Sequence, residues 1–271
     1  MIYHTVSDGK LYHLQHIAER LTFASMIRLF CFVSILVAGF MHSGLAQKIQ
    51  DDGFALVQDS DGWSNVRGEP STNSNILGRI DHGELIWCFL PNDPKWVPVF
   101  YIRETPDKKV GLYGFIHSSR LKPLSSFKEI PGKLEPDTKV TFQSDRVKVE
   151  IEEEKFDPVG ISITKVKTES GFVLVKDINN KTVWGTDGTM PTAQYRKFSV
   201  VIDGKDVSPP AEAVEDLFEP GVKWLRTRVF HETGKNTLYI TTLNGDGAGG
   251  YVAAFVFEKG KYTKRIVHAP Y

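Results

Sequence analysis

Trp63-Ser64-Asn65-Val66-Arg67-Gly68-Glu69-Pro70-Ser71-Thr72-Asn73-Ser74-Asn75-Ile76-Leu77-Gly78 reads as a strand, a turn and the opening of a second strand. Side chains on a strand alternate between faces, so Val66 points into a core while Asn65 and Arg67 face outward or cap the following loop. Pro70 fixes its own φ, and Ser71, Asn73 and Ser74 bond their side chains to the local backbone; both devices make turns. Outward from this stretch, Phe54–Val57, Ile76–Ile80, Glu84–Leu90, Trp96–Arg103 and Val110–Ile116 are short and rich in β-branched and aromatic residues. Turn formers separate them: Asp59-Ser60-Asp61-Gly62, Asp81-His82-Gly83, Pro91-Asn92-Asp93-Pro94 and Thr105-Pro106-Asp107-Lys108. Gly83 supplies a positive φ in its tight turn. These last five strands alone, in about seventy residues, predict a small barrel over 53–124, because an open sheet that small exposes its edges and buries too little.

The order of the pieces carries a resemblance. Asn65-Val66-Arg67, Pro70-Ser71 and Leu77-Gly78 are followed by Gly83 before an apolar strand and by Trp96 with Val97 and Val99. Gly114-Phe115-Ile116-His117-Ser118-Ser119-Arg120-Leu121 closes the set. In that order they resemble the bacterial SH3-like domain, over about a quarter of the chain. The segment between Trp96 and Gly114 is longer than that family's and carries an extended turn at Glu104–Lys109. The resemblance implies a module that binds cell-wall peptide, glycan or another protein through a groove of exposed aromatics. Trp63, Trp96, Tyr101 and Tyr113 are the expected groove residues, with Trp63 and Tyr113 foremost because each adjoins a Gly-bearing turn and Trp96 half-buried after a Pro-rich one. Trp87 lies inside the apolar run Leu85–Leu90 and belongs to the core.

Upstream, Ile27–Phe40 is nearly all apolar, with Arg28 near its start and Ser43-Gly44-Leu45-Ala46 after it. A basic start, a short apolar core and a small-residue end make a secretory signal, here cut after Ala46. The core falls short of the roughly 20 residues of a membrane span, and an uncleaved N-terminal anchor is the alternative. Residues 1–25 are a polar extension that such segments seldom carry, which puts the start of translation at Met26. The expected product is exported to the periplasm or outside the cell, with membrane contact only through the signal segment. The chain holds 33 basic and 33 acidic residues; three basic and two acidic ones precede Gln47, leaving 30 against 31. That balance argues against nucleic-acid binding. Cys31 falls in the signal, so Cys88 stands alone, unable to form an internal disulfide and placed as a buried structural thiol.

The 225 residues left from 271 after the first 46 have room for two domains. The break falls at Lys122–Asp137, whose prolines and small polar residues read as a linker. Residues 138–271 are again rich in strands: Val140–Phe142, Val147–Ile151, Gly160–Val166, Phe172–Val175, Phe198–Ile202, Leu238–Ile240, Tyr251–Phe257 and Tyr262–Val267. Ser208–Phe218 is the exception, a short helix with a Ser cap, early prolines and a Pro220-Gly221 stop. Its Val214, Leu217 and Phe218 dock on the sheet. The expected fold class is therefore mostly β: an SH3-like small barrel, then an antiparallel β-rich domain with one short helix.

Two loops of the second half stand out, Gly185-Thr186-Asp187-Gly188 and Asn244-Gly245-Asp246-Gly247-Ala248-Gly249-Gly250. Asp187, Asn244 and Asp246 form a possible loop site for an ion or ligand. The calcium-loop spacing is absent, and a hairpin turn with left-handed Asn-Gly and Asp-Gly is the stronger reading. The Thr-Asp-Gly loop, the Val-x-Ile-x-Gly-Lys hairpin at Val200–Lys205, Asp216-Leu217-Phe218 and Gly247-Ala248-Gly249-Gly250-Tyr251 together resemble a C-terminal region recurring in exported bacterial proteins, to which no activity attaches. His82, His117, His231 and His268 are scattered, with no zinc spacing, nucleophile elbow or phosphate loop. No cofactor, metal or catalytic residue is expected. The expected function is a non-enzymatic binding or adaptor protein whose partner is a cell-wall component or a protein. A cell-envelope hydrolase or inhibitor-type protein, active through its C-terminal half and localised by the barrel, is the alternative.

Overall fold

The computed structural model describes residues 53–89, 95–104, 109–136, 138–245 and 247–270. The expected signal peptide, the Met26 start and Asp246 lie outside the described residues. Seven strands come first: β1 (Phe54–Val57), β2 (Trp63–Arg67), β3 (Ile76–Asp81), β4 (Leu85–Cys88), β5 (Trp96–Glu104), β6 (Lys109–His117) and β7 (Leu121–Pro123). They form one antiparallel sheet in the order β3-β2-β6-β5-β4-β1-β7. Ile80 of β3 and Val57 of β1, from opposite ends of that order, share a core with Val66, Ile86, Val99 and Ile116, so the sheet wraps around it. Val66 is 0% exposed. Arg67 donates from Nη1 to the Ser74 carbonyl at 2.7 Å, capping the turn. Gly83 has φ 89°, and Cys88 is a buried free thiol that burial pushes up to a pKa of about 12. Asp59 is buried beside Arg120. Burial alone raises its pKa, but bonds from the Asp61 N–H, the Ser64 hydroxyl and Arg120 outweigh that and hold the carboxyl below its ordinary value.

Thirteen strands follow: β8 (Lys128–Ile130), β9 (Gly132–Glu135), β10 (Lys139–Gln143), β11 (Val147–Lys155), β12 (Ile163–Lys167), β13 (Val173–Ile178), β14 (Lys181–Thr182), β15 (Ala193–Ile202), β16 (Lys205–Asp206), β17 (Thr227–Glu232), β18 (Thr237–Asn244), β19 (Tyr251–Glu258) and β20 (Lys261–His268). They make two five-stranded antiparallel sheets, β16-β15-β11-β10-β9 and β20-β19-β18-β17-β8, and a small sheet β12-β13-β14. The two larger sheets share one core: Val140, Phe142, Val149, Ile151 and Val200 from one, Val229, Leu238, Ile240, Phe255 and Phe257 from the other.

The second sheet is buried on its other face too. Phe230, Tyr239, Val252, Ala254 and Val256 pack against Phe54, Leu56, Leu85, Trp87 and Leu124. This explains three sequence runs that do not alternate. Phe54-Ala55-Leu56-Val57, Leu85-Ile86-Trp87-Cys88 and Tyr251–Phe257 are buried at every position, because each strand has apolar matter on both faces. Residues 122–137, read from sequence as a linker, carry β7 to β9. Ile130 enters the sandwich core, Leu124 enters the seam, β8 pairs with β17 and β9 with β10.

Ser208–Phe218 departs from the expected helix and forms a single 3₁₀ turn at Ala211–Ala213. Pro209 and Pro210 bias the residues before them to extended backbone, and the Ser208 hydroxyl is spent on the Val200 N–H at 2.9 Å. Trp184 then donates its N–H to the Asp216 carbonyl and accepts from the Phe218 N–H, which holds 216–218 out of a helix. Leu217 and Phe218 are nevertheless buried, as their apolar spacing requires.

Candidate functional site

Three of the four distinctive pieces of the second half meet at one place. Trp184 bridges to Asp216-Leu217-Phe218, at 3.0 Å to the Asp216 carbonyl and 2.9 Å from the Phe218 N–H. Gly245 donates its N–H to the Glu219 carbonyl at 2.9 Å. The loop glycines are there for contact: a Cβ on Gly249 would lie 2.6 Å from the Thr186 carbonyl carbon, and one on Gly185 (φ 107°) 2.3 Å from the Phe218 oxygen. Asn244 is fully buried beneath them. Its amide has the Tyr195 and Tyr251 hydroxyls on one side at 2.7 and 2.8 Å. On the other side lie the Pro220 and Leu243 carbonyls at 2.5 and 3.2 Å and the Thr242 hydroxyl at 2.6 Å. Two carbonyls demand a donor, so the amide nitrogen faces them and the oxygen accepts from both phenols. Burial pushes Tyr195 up to about 12 and lifts Tyr251 well above its ordinary value. Asn244 is thus the hub of a sealed network rather than a group offered to solvent. Asp187 is exposed and accepts from the Thr189 hydroxyl at 3.2 Å. Among the described residues no group of three or more His, Cys, Asp or Glu is placed to hold a metal ion.

Beside this junction, β5 and β20 wall a cleft of about 470 Å³. One wall is Leu85, Trp87, Phe100, Tyr101 and Ile102; the other is Lys264 to His268 on β20. Trp184 and Arg265 tie the cleft to the glycine-loop junction. Trp184 lines it while packing on Tyr251 at 6.1 Å, and Arg265 lines it while donating to both Asp216 carboxylate oxygens at 2.5 and 2.7 Å. Lys264 is paired to Glu84 at 2.8 Å. His268 sits among aromatic rings, stacked on Trp87 at 6.4 Å and edge-on to Phe89 at 5.8 Å and Phe100 at 4.2 Å. Burial holds its pKa below the ordinary 6.5, so the ring is neutral at pH 7. The Trp87 indole N–H is buried and has no hydrogen-bond partner among the described residues. The benzo edge of that ring abuts Gly53.

Of the four expected groove residues, Tyr101 alone lines this cleft. Tyr113 is 55% exposed and reaches the edge of the cleft through Phe89, ring to ring at 5.8 Å. Trp63 is 39% exposed with the Arg79 guanidinium 4.8 Å over its ring. Trp96 is 8% exposed, more buried than expected, and meets His117 edge-on at 5.3 Å. Sequence reasoning passed over Phe100, Trp184 and His268, which come from three distant segments and form no motif. The one available signal was the unbroken apolar run of β4, which called for a second packing surface beyond the barrel interior. No protein family, curated protein or solved structure matches the chain.

Proposed function

We propose that this is an exported, non-enzymatic binding or adaptor protein. Its ligand, a cell-wall peptide or glycan or a protein segment, lies in the cleft between the SH3-like barrel and β20. The observation that carries the reading is the cleft itself. Its volume falls within the range of about 300–1,000 Å³ usual for ligand sites. It is walled by Trp87, Phe100 and a neutral His268. Its charged groups are already committed, Lys264 to Glu84 and Arg265 to Asp216, which suits recognition better than proton transfer.

The test is retention of the protein on purified peptidoglycan, with tryptophan fluorescence as a second readout. Phe100→Ala and His268→Ala are expected to lose retention about tenfold or more, the scale of about 1.4 kcal/mol from a lost ring contact, while Trp63→Ala is retained like the parent chain. Equal retention of all four proteins overturns the cleft as the site. No retention of the parent chain removes the wall ligand and leaves the protein segment.

A further inference from the structure

We infer that the cleft takes an extended polypeptide segment, paired main chain to main chain with the free edge of β20. The inference rests on the cleft being the binding site and names its partner class. β20 ends its sheet, with β19 along one edge and no strand among the described residues along the other. The cleft is lined by five consecutive residues of that strand, Lys264 to His268. Successive side chains of a strand point to opposite faces, so a cavity that meets all five lies along the strand's edge. At such an edge every second residue turns its N–H and C=O outward, toward a position that another strand fills. The sheet continues one strand further if that position is occupied.

Size and charge agree with this occupant. A strand residue takes up about 3.3 Å of length, 4.8 Å of width and 10 Å of height, on the order of 160 Å³, so the cleft of about 470 Å³ holds about three residues of extended chain. The lining charges are satisfied within the protein, leaving no unbalanced charge to select an acidic or basic ligand. Selection falls to main-chain bonds and to apolar contact. The face of the added strand toward the barrel meets the Trp87, Phe100 and His268 rings, which favours aliphatic or aromatic side chains at alternate positions.

The probe is a bead-displayed random decapeptide library without charged residues, screened against the protein; its strongest binder is then used in solution. Amide hydrogen exchange by NMR reads the protein side: alternate amides of 264–268 exchange fast alone and become protected with the peptide. N-methylation of the peptide, one residue at a time, reads the other side. Methylation at alternate residues is expected to weaken binding about tenfold or more, and at the intervening ones by less than about twofold. A methylation profile without a period of two, or a library that yields no binder, overturns the strand. So does a peptidoglycan fragment that perturbs Trp87 and His268 while leaving the β20 amides unchanged, though that result keeps the cleft as the site. If neither probe perturbs Trp87 or His268, the cleft reading fails together with the strand.

Discussion

Replacing Asn244 tests whether the buried amide organises the loop junction. Asn244→Ala removes the donor that serves the Pro220 and Leu243 carbonyls and the acceptor that receives both phenols. The phenols are partly rescued. Tyr251 turns its one O–H to the Phe218 carbonyl at 3.0 Å, and Tyr195 keeps the Thr242 hydroxyl. The buried carbonyls are not, and an unsatisfied buried group costs about 1–3 kcal/mol, to which a small void adds about 1. The expected loss is about 3 kcal/mol, or about 6–12 °C in Tm at about 2–4 °C per kcal/mol for a body of this size. Asn244→Asp adds a pH signature. Its carboxyl is buried near Glu153 and Asp216, whose charges act on Tyr195 and Tyr251, so its folded pKa rises above the unfolded value of about 3.9. A raised folded pKa leaves stability intact below pH of about 4 and removes it as pH rises toward the folded value. A shift of about three units removes about 4 kcal/mol at pH 7. Urea unfolding at pH 3.5 and pH 7, followed by tryptophan fluorescence, measures both variants. A loss under about 1 kcal/mol for Asn244→Ala, with Asn244→Asp indifferent to pH, would refute the network.

Other outcomes follow from single contacts. Gly185→Ala forces a Cβ against the Phe218 oxygen at φ 107° and is expected to cost about 2–5 kcal/mol in urea unfolding, whereas Gly204→Ala has open space around its Cβ and costs only the strain of its φ of 74°, about 1 kcal/mol. Leu225 is exposed in left-handed backbone at φ 49°, so Leu225→Gly is expected to raise stability by about 0.5–1 kcal/mol, and a loss on calorimetry counts against that strain. Cys88, buried with a pKa of about 12, is expected to resist a thiol reagent at pH 8 until denaturant is added. The folded pKa of His268 lies below 6.5, so its contribution is fully present above that pH and is lost as pH falls beneath it. Replacing it with Gln is expected to flatten that limb of the stability profile without touching the limb below pH 4.5, where Glu150, drawn down to about 2 first by Lys197 and then by Lys148, is among the carboxylates losing their partners.

The strands were legible and their company was not. Val66 inward, Arg67 on the turn and Gly83 at positive φ all follow from alternation and turn chemistry over a few residues, which sequence displays directly. The Ser208–Phe218 helix failed because its local signals were outweighed by a partner far away in the chain: Trp184 holds Asp216 and Phe218 by their backbones. Residues 122–137 looked like a linker because composition averages over the stretch. Burial there depends on two isolated side chains, Leu124 and Ile130, that happen to reach two different cores. The meeting of the two loops was half legible. Asp187 and Asn244 do belong to segments that meet, yet the contact is made by glycines and the Asn is sealed inside it.

The proposed cleft lies apart from the expected groove for the same reason. A groove expected on the barrel alone assumes that the barrel stands alone, and its outer face does not. Leu85 and Trp87 of β4 cover β18 and β19, while Ile86 and Cys88 of the same strand fill the barrel interior. A strand shared between two cores cannot be peeled from either without exposing large apolar surface, so cutting the chain between Leu124 and Thr138 does not release an independent module. It strips Phe54, Leu56, Leu85 and Trp87 of their partners and takes away the β20 wall of the cleft. The exposed aromatics Trp63 and Tyr113 therefore sit outside the place where both halves contribute. Recognition that depends on the cleft requires the whole body from Gly53 to His268, and a truncated 53–124 fragment is expected to aggregate rather than bind.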